Sequence, residues 1–182
     1  MFADREQWSR WLSAHGAASP GVWLKLAKKN SPTPTLSYAD ALEEALCFGW
    51  IDGQVGRLDE HFYRQRFTPR RPRSAWSLIN RRKATELIER GRMKPAGQAQ
   101  VDAAKADGRW ENAYPPASEA TVPADFQAAL NRNPQAATFF ATLTGSQRYA
   151  FLFRLHGTVR PEARAKKIAG YIERLNGGRT LN

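Results

Sequence analysis

Cysteine is nearly absent from this 182-residue chain: Cys47 stands alone, so no disulfide can form within it. Nowhere do about eighteen apolar residues run together, so no membrane-spanning helix is expected and no membrane insertion. The opening MFADREQWSRWL carries acids within its first six residues and lacks an apolar stretch, which argues against a secretory leader. With the lone thiol, these features lead us to expect the cytoplasm. Catalytic signatures are missing too. There is no GxSxG elbow, Walker loop or GxGxxG, and His15, His61 and His156 stand far apart without HxH or HxxxH spacing. That pattern supports no metal site and no cofactor. Cys47, beside Phe48 in a helical run, fits a packed thiol better than a nucleophile.

What the chain does have is aromatic residues and positive charge. Six Trp, nine Phe and five Tyr, within a 42% apolar composition, suffice for a globular core. The net charge is +11, unevenly distributed. Residues 57–94 carry twelve bases against four acids, and residues 148–182 eight against two, while the remaining stretches are slightly acidic. Concentrated positive charge draws anions, although the same charge also serves as a solubilising face.

Periodicity predicts an α+β fold. Trp8, Trp11 and Leu12 mark a helix over 4–14, and Val22, Leu24 and Leu26 alternate with Trp23, Lys25 and Ala27 as a strand. Ser37 reads as an N-cap, and that helix stops at Gly49. WIDGQVGRL and HFYRQRFT predict a β-hairpin over 50–58 and 61–68. Ser74 then reads as the cap of a helix over 75–90, closed by Gly91. Beyond a short helix over 96–106 the pattern is purely helical: 124–130, 134–143, 146–155 and 161–175, the last with Ile168, Tyr171, Ile172 and Leu175 on one face. The expectation is a small antiparallel sheet of at least three strands packed by helices within 1–122, with a helical segment, 123–182, packed on it.

The candidate site lies in the arginine–aromatic block. Arg64 and Arg66 share one face of the second hairpin strand, and Arg70, Arg71 and Arg73 precede Trp76. Guanidinium groups hold phosphate or carboxylate bidentately, and aromatic rings offer stacking surfaces. Arginine on a surface strand also guards against edge pairing, which is the plainer explanation. Asp52 is either a turn residue or ion-pair partner, or a group that orients an arginine or a ligand amine. If Ser74 caps the helix, Trp76 and Asn80 lie one turn apart beside a helix N-terminus that favours anions. The expected ligand-binding set is therefore Trp50, Asp52, Tyr63, Arg66, Arg70, Arg73, Trp76 and Asn80.

The motifs LCFGWIDG at 46–53, RFTPRRPRSAWSLIN at 66–80 and GRMKPAG at 91–97 resemble the YdeI/OmpD-associated, or bacteriocin-protection, family. The N-terminal GVWLKLAKK and the C-terminal SQRYAF segment agree, while the last helix opens differently, as TVRPEAR. The resemblance implies resistance to bacteriocins and cationic antimicrobial peptides as part of a stress response, and no enzyme activity. Three readings stay open. One is a non-enzymatic module for an anionic small molecule or nucleic-acid phosphates. Another is protection through a protein partner docked on the stripe Arg160, Arg164 and Lys167. The third is an enzyme using Asp52 as acid or base.

Overall fold

The computed structural model describes residues 1–181 and divides into two compact units, Met1–Ala113 and the chain from Tyr114 onward. The first unit is α+β. Helix α1 (Arg5–His15) opens on Asp4, whose carboxylate accepts the Gln7 N–H at 2.8 Å, and ends at Gly16. Strand β1 (Val22–Ala27) leads to α2 (Tyr38–Cys47), capped by Ser37 Oγ accepting the Asp40 N–H. Strands β2 (Trp50–Arg57) and β3 (Phe62–Pro69) form the expected hairpin. The Asp59 carboxylate shapes its turn by accepting the backbone N–H groups of His61 and Phe62 at 2.8 and 2.7 Å.

The sheet is antiparallel in the order β1-β3-β2, with Trp23 opposite Arg66 and Asp52 opposite Phe67. An irregularity between Asp52 and Val55 shifts the β2 register. Leu24, Leu26 and Phe67 point to the side covered by α1 and α2, where they pack with Trp8, Leu12, Leu42 and Leu46. Trp8 stacks on Trp11 at 5.2 Å, meets Trp50 and Phe67 edge-on, and donates its Nε1–H to the Ala41 carbonyl. Each such ring buries about 150–250 Å², so this cluster anchors the unit.

Two further helices, α3 (Leu78–Glu89) and α4 (Pro95–Ala106), complete it. The cap of α3 corrects the sequence reading: Ser77, not Ser74, accepts the Asn80 N–H, and the helix starts three residues later than expected. Arg73 takes a left-handed conformation (φ 65°), and the chain carries Trp76 into the core before helix begins. There Trp76 meets Trp110 at 4.9 Å. Burying an indole outweighs one more turn of exposed helix.

The second unit contains α5 (Ala124–Asn131), α6 (Pro134–Thr142), α7 (Gly145–His156) and α8 (Pro161–Asn176). A capping box joins Thr144 and Gln147 at the start of α7. Its core brings Phe126, Phe140, Phe151 and Leu155 against Ile168, Tyr171, Ile172 and Leu175, the face that periodicity predicted for α8. Among the described residues no helix is long and apolar enough to cross a membrane.

Candidate functional site

The pleat of β3 sorts its side chains. Tyr63, Gln65 and Phe67 face the helices; Phe62, Arg64 and Arg66 face away. On the outer face Arg66 stands opposite Trp23, and Arg64 opposite Lys25. The Arg64 and Arg66 guanidinium carbons lie 4.7 and 5.8 Å from the centre of the Trp23 ring, and Lys25 Nζ lies 3.9 Å above Phe62. Trp23 itself is 37% exposed.

On the neighbouring β2, glycine leaves this face flat. A Cβ at Gly56 would come within 2.7 Å of Arg64 Nε, so the arginine lies across bare backbone there. A Cβ at Gly53 would touch the stem of Arg66 at 3.8 Å. The result is three cations and two aromatic rings on one open sheet face. Trp23 was absent from the expected set, although its alternation with Leu24 and Leu26 signalled an outward ring beside Lys25.

The other expected residues separate. Trp50 and Trp76 are each 2% exposed and belong to the core. Asp52 pairs with Phe67 and thus sits on the opposite face from Arg66; its carboxylate accepts the Tyr38 hydroxyl at 2.8 Å. Burial and then this bond push the Tyr38 hydroxyl well above its ordinary pKa. Tyr63 packs against the core, and burial raises its hydroxyl pKa as well. Arg70 is 6% exposed, lies 3.6 Å over the Trp76 ring and donates to Ser74 Oγ and the Ala75 carbonyl, holding the 70–76 turn together. Arg73 is exposed in that turn, and Asn80 occupies the third position of α3, where its backbone is capped. Arg66 alone of the eight lies on the outer face.

In the C-terminal stripe Arg160 is exposed, but its neighbours are engaged. Arg164 grips Asp125 at 2.5 and 3.0 Å and donates to the Leu155 carbonyl at 2.7 Å; Lys167 donates to Thr158 Oγ1 and the Arg154 carbonyl. Both thereby satisfy carbonyls at the end of α7. No cluster of three His, Cys, Asp or Glu that could hold a metal occurs among the described residues. Cys47 is buried, and burial followed by the Glu44 charge pushes its thiol up to about 11, far from nucleophilic at neutral pH.

Fold and surface thus define an α+β unit with a cationic, aromatic sheet face, followed by a four-helix unit. Residues 1–100 match the family described as a Domain of unknown function (DUF8412), and the chain belongs to that family. Residues 119–178 match the family described as Bacteriocin-protection, YdeI or OmpD-Associated, so the helical unit carries that domain. The motifs at 46–97 that carried the resemblance lie in the first of these matches. Neither the curated proteins nor the solved structures compared contain a match.

Proposed function

We propose that this protein acts by binding, without catalysis, and that the outer face of its sheet holds an anionic ligand. The carrying observation is the pair of guanidinium groups over the exposed Trp23 ring, beside the glycines of β2. Arginine supplies charge in a form that pairs with phosphate or carboxylate, and an indole offers a flat surface to a planar group. The cytoplasm, rich in phosphate-bearing polymers, is the compartment this reading implies.

A second observation favours nucleic acid among such ligands. Residues 57–94, which include β3 and its turn, carry a net +8, and base stacking on an aromatic platform next to a basic track suits single strands. Protection against bacteriocins, which the family description of 119–178 names, enters as a consequence of binding rather than a direct contact. A chain at +11 repels a cationic peptide, so sequestering one is electrostatically unfavourable.

The test is fluorescence anisotropy with a labelled single-stranded oligonucleotide and, as competitor, inorganic polyphosphate, at two salt concentrations. Wild type is expected to bind at low salt and to weaken steeply as salt rises. Arg64→Ala with Arg66→Ala should lower the magnitude of the log–log salt slope by about 0.7 for each phosphate that an arginine no longer neutralises. Absence of binding to either polymer at low salt would remove the reading. Binding to both that the double variant leaves unchanged would remove the sheet face as its location.

A further inference from the structure

Within the second unit, and independent of the sheet face, an open cleft of about 650 Å³ lies between α5 and α8. Its floor is the outer edge of the core: Ala129 from α5 with Ile168 and Ile172 from α8, all buried. Ala165 and Ala169, one turn apart on α8 and both exposed, carry the apolar stripe beyond the residues that the core uses. Their short side chains leave open the space that longer ones would fill. Val159, just ahead of α8, adds an apolar side chain that is 79% exposed. An apolar strip of this width, rimmed by polar groups, marks a binding groove.

The polar rim decides what the groove suits. Four polar side chains line it, and three are engaged within the protein. Arg164 holds Asp125 at 2.5 and 3.0 Å, joining α8 to α5 at one end, so these two charges cancel. Asn133 donates its side-chain N–H to the Ala129 carbonyl at 2.8 Å. Arg132, which ends α5, is exposed, and its side chain makes no hydrogen bond or ion pair among the described residues. It stands seven residues after Asp125, which is about 11 Å along the helix. The cleft is thus an apolar trough with one unneutralised cation at one end and a closed ion pair at the other.

We propose that this cleft binds a free aliphatic monocarboxylate of medium chain length. The carboxylate pairs with Arg132, and the chain lies over Ala129, Ile168 and Ile172 toward the Arg164–Asp125 pair. One unpaired guanidinium matches one negative charge, and the apolar floor favours an organic acid over inorganic phosphate. The volume falls within the range of small-molecule sites, which are mostly apolar with a few placed polar groups. A helix of a partner protein fits less well. A trough about 11 Å long would meet only two of its turns, well short of the roughly 1,200 Å² that stable protein interfaces bury.

Full-length protein with ¹³C-labelled isoleucine methyl groups provides the test. Ile168 and Ile172 line the cleft, while Ile51, Ile79 and Ile88 lie in the first unit; Ile→Val variants assign the signals. Titration with octanoate is expected to shift Ile168 and Ile172 saturably and to leave the other three in place. Neutral 1-octanol should bind about fivefold more weakly, and Arg132→Ala should weaken octanoate by about the same factor. Lys166→Ala removes an exposed cation of α8 that does not line the cleft and should leave the affinity unchanged. Ala169→Phe, which fills the trough, should abolish the response; Ala165→Phe serves equally should that variant not fold. The proposal is overturned if octanoate moves neither methyl, if octanol binds as tightly, if Arg132→Ala weakens binding no more than Lys166→Ala, or if the response survives the filled trough. A dimer in analytical ultracentrifugation that Ala169→Phe dissociates would also overturn it and assign the cleft to a second copy of the chain.

Discussion

Glu44 is the acid whose loss the fold should feel most. It is 6% exposed on α2, where Arg92 binds it directly and Arg5 stands 3.9 Å away. Arg92 also holds Glu43 at 2.9 Å, and Arg5 holds Asp40 and, at 3.2 Å, Glu43. Two arginines, one from α1 and one following α3, thus clamp three carboxylates of α2. Consider Glu44→Gln, which keeps shape and removes charge. Breaking a desolvated pair costs about 3–5 kcal/mol when the partner is stranded. Here Arg92 retains Glu43, and its side chain is 27% exposed, so the cost falls toward that of one charge-assisted hydrogen bond, about 2 kcal/mol. For a unit of this size that lowers Tm by about 10 °C. Glu43→Gln should cost under about 1 kcal/mol, because Arg92 keeps Glu44 and Arg5 keeps Asp40. All six tryptophans lie in the first unit, so Trp fluorescence during urea or thermal unfolding reads it selectively. A Glu44→Gln protein within about 0.5 kcal/mol of wild type, or a larger loss from Glu43→Gln, would refute the argument.

Two more outcomes are expected. Ser77→Ala should cost about 1 kcal/mol and Ser74→Ala less than half of that, since Ser77 caps α3 while Ser74 Oγ only accepts a long bond from Arg70; the reverse order, measured by urea unfolding, would restore Ser74 as the cap. In the second unit Arg164 holds the Asp125 carboxyl below its ordinary pKa, so this pair's contribution is complete above about pH 4, the unfolded value, and disappears as pH falls through the folded one. Far-UV circular dichroism of thermal unfolding from pH 6 to pH 2.5 should therefore show wild type and Asp125→Asn converging in acid, and a gap constant with pH would exclude the linkage.

Local pattern alone determined much of this protein. Alternation in GVWLKLA and HFYRQRFT specified two strands and their inward residues, because a pleat allows only two directions. The 3.6-residue spacing of Ile168, Tyr171, Ile172 and Leu175 specified the buried face of α8 in the same way. The charge block over 57–94 pointed to the hairpin that bears Arg64 and Arg66. Which groups share a surface was a matter of tertiary structure. Trp23 joins Arg64 and Arg66 because β1 pairs with β3 rather than with β2, and no local signal carries strand order. Asp52 leaves them because its register partner is Phe67, one pleat away from Arg66. Ser74 and Ser77 offer equal capping chemistry in sequence; the burial of Trp76 between them chose the second. The clamp around Glu44 depends on side chains from segments far apart in the chain, and only packing brings those together.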